Sequence, residues 1–287
     1  IAYMVGLSIG VHLLNLVTIP AMALIFYFKK YEKFTRKGII LTLIVAFAII
    51  GVVMVGVIPG LPSIAGSLEI FFVNGLGLPF GSGMIFFGLA FLAALIYGII
   101  YSIRKSKVVM NTALLCFTFI MIGYSSYTLV LIRSTYDPPI DENNPEDILS
   151  FVSYLKREQY GSRPLIKGQY YTAQVTDQKK GATVYMRGED KYEVKDFKVE
   201  YVYDPKHTTI LPRMYSSDPK HVQRYQEITG LASGVKPNFI DNLNFMFTYQ
   251  LGHMYMRYFL WNFSGRASDI QGASSVGVIP DNDIPEI

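Results

Sequence analysis

The chain has one cysteine in 287 residues, Cys116, and it lies within an apolar run. That excludes an intramolecular disulfide and any cysteine-based metal site. No HExxH, P-loop, GxSxG or dinucleotide-binding glycine fingerprint occurs, and no metal site is expected. Net charge is only +4, with the basic residues spread out or gathered beside apolar runs. A nucleic-acid face would need clustered Lys and Arg, so that partner class is excluded. The sequence starts at Ile1 inside an apolar run, with neither an initial Met nor a charged leader. The expectation is an internal piece of a longer polytopic protein, and the last stretch, SDIQGASSVGVIPDNDIPEI, gives the same expectation.

Long apolar runs are plentiful before Arg133 and scarce after it. Gly83–Ile132 holds two of them, joined by Arg104-Lys105-Ser106-Lys107. Each is about 20 residues or longer, enough for a helix to cross a ~30 Å hydrocarbon core. The basic joint places that loop in the cytoplasm and the residues after Ile132 on the outer side. Residues 1–28 are apolar but contain Pro20, which predicts one kinked span or two short helices meeting near Thr18-Ile19-Pro20. KKYEKFTRKG, with five basic residues against Glu32, is cytoplasmic by the same rule, and Ile39–Ile58 crosses outward. Residues 59–82 read as an outer loop with a short interfacial helix capped by Ser67 and a glycine-rich turn after it. The count is about four crossings.

RSTYDPPIDENNPED is irregular around Pro138-Pro139, and Asn144-Pro145 reads as a capped helix start. Residues 170–203 alternate as a small antiparallel sheet, and PKHVQRYQEITG reads as a helix stopped by Gly230. Asn242–Phe263 is aromatic nearly all round, either a further span or a helix lying at the interface; its Tyr and Trp content favours the interface. The expected class is therefore a mainly α polytopic membrane protein with a small α+β outer portion. Residues 1–132 would form the helix bundle, 133–241 the outer segment, and 242–287 the aromatic helix and tail.

Several polar residues are placed for chemistry. His12 and Asn15 are three apart on an apolar segment and would share a helix face, to line a site or to hydrogen-bond a neighbouring helix. Arg133 stands at the outer end of the hairpin, where a guanidinium can fork onto a lipid phosphate or snorkel to headgroups. Arg157, Arg163 and Lys167 follow. Glu69, Glu146 and Glu158 are outer-side acids, each suited to take a hydroxyl proton if its pKa is raised, or to a plain capping role. His253 and Arg257, four apart, form a second phosphate- or sugar-contacting pair or a packing face. Asn74 and Asn144 complete the candidate site lining. Asn262-Phe263-Ser264 fits a glycosylation tripeptide that is common by chance.

GLSIGVHLLNLVTIPA, EIFFVNGLGLPFGSG, RSTYDPPIDENNPED with FVSYLKREQYG, and YQLGHMYMRYFLWNFSGRASDIQG together resemble a bacterial membrane family. That family is related to the plexin-type protein O-mannosyltransferases of the endoplasmic reticulum. The resemblance implies a GT-C helix bundle with its site at the extracytoplasmic surface. It implies polyprenyl-phosphate-mannose as donor substrate, no certain cofactor, and Ser or Thr of exported proteins as acceptors. It also implies the inner membrane, with residues 133–287 periplasmic. His12, Asn15, Arg133 and Arg257 would then contact the donor; Glu69, Asn74, Asn144, Glu158 and His253 would line the acceptor side. The family's catalytic acid falls in a first outer loop expected upstream of Ile1, so no catalytic base is assigned. The alternative from another class is a non-catalytic scaffold or transporter component of an envelope or export machine, for which the broken first segment also speaks.

Overall fold

The computed structural model describes residues 1–161, 163–270, 273, 275 and 276. The chain divides into two compact units: Ile1–Gly161 with Val184–Asp196, and Ser162–Thr183 with Phe197–Ile287.

The first unit is almost wholly helical. Its elements are α1 (Ala2–Val11), α2 (Thr18–Lys30), α3 (Arg36–Gly51), α4 (Leu61–Ile70), α5 (Ser82–Arg104), α6 (Val108–Tyr124), α7 (Thr128–Ser134) and α8 (Ile148–Leu155). Four helical stretches are long and apolar enough to cross a membrane: Leu13–Lys30, Arg36–Gly75, Ser82–Arg104 and Val108–Ser134. Their number equals the expected count of apolar helices, and the last two form the helical hairpin read from residues 83–132.

The break in the first segment is at His12, not at Pro20. His12 has extended backbone (φ −159°, ψ 125°), and a tight 3-10 turn over Leu13–Val17 follows it. Pro20 sits in the first turn of α2, where a missing N–H removes no intrahelical bond. His12 and Asn15 therefore lie in a tight turn and do not share an α-helical face.

A second correction concerns residues 59–82. The helix does not stop at Pro59 but runs 40 residues from Arg36 to Gly75, about 60 Å at 1.5 Å per residue. It stays continuous because its turns widen to i→i+5 bonding over Val52–Gly60 and again over Phe71–Gly75. Pro62 has no N–H for the carbonyl of Ile58 four residues before it. The Tyr124 hydroxyl donates to that oxygen instead, at 3.0 Å. Ser67 is interior to the helix and its Oγ donates to Ser63 O at 3.0 Å, so it caps nothing. The glycine turn is real but short, ending in Gly77 and Gly81 with positive φ.

The bundle core joins Ile9, Leu16, Val53, Val57, Ile58 and Tyr124. It closes where α1 meets α6. A Cβ on Gly6 would stand 2.2 Å from Ile120 O, and one on Gly123 would stand 2.5 Å from Tyr3 O. Small residues let the two backbones touch, as membrane helix pairs commonly do. α8 is capped by Asp147 rather than Asn144. Asp147 Oδ1 accepts from the N–H groups of Leu149 and Ser150, and Ser150 Oγ accepts from the Asp147 N–H. The reciprocal box outcompetes Asn144, whose left-handed φ of 42° keeps it outside the helix.

The second unit carries the short antiparallel pair β1 (Lys167–Gln169) and β4 (Thr208–Ile210), in register Lys167↔Ile210. Between them in sequence runs the long hairpin of β2 (Val175–Arg187) and β3 (Tyr192–Tyr203), closed where Gly188 N–H donates to Lys191 O. The turn end of this hairpin, Val184–Asp196, groups with the first unit. α9 (Pro219–Thr229) ends on Gly230 at φ 72°, as the sequence predicts. α10 (Phe239–Phe245), a widened stretch Met246–Tyr255 and α11 (Met256–Trp261) form one continuous helix, which is not among the four apolar enough to span. Tyr171, Met214, Tyr225, Phe245 and Tyr249 make this unit's core. Asn242, fully buried, holds the Leu211–Met214 loop: Oδ1 accepts from Arg213 and Met214, and Nδ2 donates to Leu211 O. Burial pushes the Tyr225 hydroxyl up to about 12.

Candidate functional site

Two polar clusters form within the first unit, and they differ in kind. The first surrounds an open cavity of about 330 Å³ at the end of α1. Ile9, Val11, Leu13, Ile58 and Leu155 give it an apolar wall; His12, Tyr127, Glu142, Tyr154, Arg157, Gln159 and Tyr160 give it a polar one. The break after α1 is what brings His12 to the cavity. Its Nδ1 accepts from Leu14 N–H at 3.0 Å, so that nitrogen carries a lone pair and the ring's free polar atom is Nε2. Arg157 follows the C-terminal end of α8 in left-handed conformation, φ 54°, with its guanidinium 5.6 Å from the Tyr160 ring. Tyr160 Oη donates to Glu142 Oε1 at 3.1 Å. Tyr127 and Tyr154 lie with their rings tilted by 45° and centroids 6.4 Å apart. The set combines a guanidinium, an imidazole, a carboxylate and three phenols over an apolar floor. Such a lining can hold an anionic head group with hydroxyls beside an apolar chain.

The second cluster is closed. Glu69 is wholly buried. Its carboxylate accepts from the N–H groups of Gly81 at 2.5 Å, Gly83 at 2.9 Å and Met84 at 3.1 Å, capping the start of α5. A Cβ on Gly83 would meet the Glu69 backbone at 2.4 Å, so glycine is what lets the two helices approach. Tyr192, at the turn end of the hairpin, adds a hydrogen bond to the same carboxylate; burial first, then the Glu69 and Asp147 charges, pushes its hydroxyl well above the ordinary tyrosine value. Asn74 clasps the Tyr192 backbone from both sides, Oδ1 accepting from its N–H at 2.9 Å and Nδ2 donating to its carbonyl at 2.7 Å. Phe80 meets the Tyr192 ring edge-on at 5.1 Å, and the Arg187 guanidinium lies 4.4 Å from the Phe80 ring.

The sequence-predicted residues thus scatter. His12 lines the cavity, and Glu158 is half-buried between Arg157 and Gln159, which line it. Asn15 is exposed and lies in the turn beyond, where its carbonyl accepts from Thr18 Oγ1. Arg133 is exposed near the end of α7 and is not among the lining residues. Glu69 and Asn74 belong to the closed clasp. A buried, donor-saturated carboxylate has no path to a substrate hydroxyl, which a general base must reach. Asn144 Oδ1 accepts from Ser134 Oγ at 3.1 Å, and Ser134 donates also to Asp141 at 2.7 Å. His253 and Arg257 lie in the second unit, 3.3 Å apart, with Arg257 buried over the Tyr258 and Trp261 rings.

Sequence reasoning passed over Tyr127, Glu142, Tyr154, Gln159 and Tyr160. The available signal was YLKREQY, which places two phenols, an arginine and a glutamine within seven residues from the last turn of a capped helix onward.

Residues 1–35 match the family model described as the protein O-mannosyl-transferase TMEM260 N-terminal domain. Residues 161–247 match a family of unknown function, DUF8416. No curated protein and no solved structure matches.

Proposed function

We propose that the chain is a membrane glycosyltransferase, moving a sugar, mannose first among the choices, from a polyprenyl-phosphate donor to Ser or Thr hydroxyls of exported proteins. One observation carries the reading: the stretch that matches the O-mannosyl-transferase domain contains His12, and His12 lines the open polar cavity. The charge pattern supports an outer-side site. Lys29–Lys37 and Arg104–Lys107 mark the cytoplasmic ends of their helices, and the start of α2, beside His12, is the opposite end.

In this reading the acceptor oxygen attacks the anomeric carbon, the carbon–oxygen bond to the phosphate breaks, and the lipid phosphate leaves with the electron pair. Arg157 stabilises the charge that grows on that phosphate. His12 and the Tyr154 and Tyr160 hydroxyls orient the sugar. The group that takes the hydroxyl proton is not assigned. The test is transfer of labelled mannose from polyprenyl-phosphate-mannose to a Ser/Thr peptide by the reconstituted full chain. Label on the peptide that falls at least tenfold in Arg157→Gln, about 1.4 kcal/mol in the transition state, is the expected result. No transfer from mannose or any other lipid-linked sugar would overturn the reading in favour of a scaffold or transporter component.

A further inference from the structure

The helix from Phe239 to Trp261 has two straight stripes. Phe245, Tyr249, His253 and Arg257, each four residues after the last, face inward, with successive rings stacked at 5.3 Å and 5.6 Å. Phe247, Leu251, Tyr255 and Phe259, also four apart, continue to Phe263 beyond the helix and are all exposed, between 41% and 74%. In an α-helix of about 3.6 residues per turn a four-residue step drifts by about 40°. The wider turn over Met246–Tyr255 offsets that drift, so both stripes stay aligned. The outward stripe is an apolar ridge, flanked by exposed Asn244, Thr248 and Asn262.

We infer that this ridge rests on a lipid bilayer, with the helix lying in the membrane plane and not crossing it. Three facts select lipid as the occupant. The helix carries buried Asn242 and Arg257 and half-buried His253 on its inner face, and it is not among those apolar enough to span. Among its described residues the chain also has four helices that are, which suggest a membrane protein and so a bilayer for the ridge to rest on. Finally, the ridge is narrow, widening only at its far end where Met256 and Tyr258 are also exposed. Half of about 200 Å² for each of these seven large side chains gives roughly 700 Å², still short of the roughly 800 Å² per partner of a specific protein contact. Tyr255 and Tyr258, both exposed, supply the amphipathic rings that settle at headgroup depth, where an in-plane helix sinks its apolar face by about 5–10 Å. The inference holds whether or not the chain transfers a sugar.

The test uses the full chain with Cys116→Ser, its sole native thiol removed, and single cysteines at Phe247, Leu251, Tyr255 and Phe259, with Asn244 and Thr248 as controls. All six positions point outward, so labelling with an environment-sensitive dye leaves the packed face intact. In phosphatidylcholine–phosphatidylglycerol vesicles, ridge labels are expected to be quenched by lipids carrying doxyl near the headgroup and shielded severalfold from aqueous iodide relative to Thr248. Equal iodide quenching at ridge and control positions would overturn the inference. So would shielding without doxyl quenching, which means a protein cover, or stronger quenching by doxyl at the chain ends, which means a span.

Discussion

The clasp around Glu69 and the cavity around His12 lie in one compact unit and use similar residue types, a carboxylate, tyrosines, an asparagine or histidine, and an arginine. They differ in what the polar atoms have left to do. Glu69 is wholly buried, and its carboxylate is filled by three backbone N–H groups and the Tyr192 side chain. Around the cavity, His12, Glu142, Arg157, Gln159 and Tyr160 are all exposed and hold one contact or so apiece while facing open volume. A polar group buried and saturated holds a fold together; one that lines a space with bonding capacity in reserve can take a ligand. Presence of an acid near a membrane surface does not separate the two cases, but its hydrogen bonds do.

The largest expected effect is therefore on the closed side. Glu69→Ala strands the first N–H groups of α5 in a site that excludes water, at about 1–3 kcal/mol for each group left unsatisfied. We expect a loss of about 3 kcal/mol or more, read as a fall in the thermal midpoint of the full chain in mild detergent. Glu69→Gln, which keeps one acceptor oxygen but turns an amide toward the same donors, should fall between. A loss under about 0.5 kcal/mol, the range of ordinary surface changes, would mean that the clasp is wet and the contrast with the cavity false.

Alkaline titration sharpens the same point at smaller amplitude. The Tyr192 hydroxyl is held neutral by burial and by the Glu69 charge it faces. A group whose folded pKa is raised contributes stability that is whole below its unfolded value, about 10 for tyrosine, and is lost as pH rises through the folded value. The unfolding midpoint should thus hold level to about pH 10 and decline above it. Tyr192→Phe should shallow that decline, although Tyr225, pushed up to about 12, keeps its own share. An unchanged slope in Tyr192→Phe would show that its hydroxyl is solvated.

Much of this architecture was legible in the residues, and the failures have physical causes. The two long apolar runs and their basic joint specify α5 and α6 because length and charge act locally. β2, β3 and α9 follow from alternation and from a glycine at positive φ. Proline misled in both directions. At Pro20 it sits where a helix has no N–H to lose, and at Pro59 and Pro62 the helix widens while a tyrosine 62 residues after Pro62 serves a freed carbonyl. No local pattern contains Tyr124. The cavity was half visible, since His12 stands out as an ionisable group in an apolar run. Its polar partners come from 115 or more residues away and became neighbours only through the packing of α8 against α4 and α7. Glu69 looked available because its three backbone donors are ordinary glycine and methionine N–H groups, which leave no mark in a sequence, and Tyr192 lies more than a hundred residues away.

The smallest effect on stability should accompany a large effect on function. His12 has two separable jobs: Nδ1 caps the Leu13–Val17 turn, and the rest of the ring lines the cavity. His12→Ala removes both and should cost about 1 kcal/mol, the usual price of a lost cap. His12→Asn puts an amide oxygen near the place of Nδ1 and so keeps the cap while deleting Nε2, with a stability change under about 0.5 kcal/mol. If the cavity binds the sugar donor, the Asn variant should lose mannose transfer as fully as the Ala variant while melting like the parent chain. Transfer that tracks the thermal midpoint across the two variants would instead make His12 a turn-former alone, no different in kind from Glu69, and would leave the cavity without its histidine.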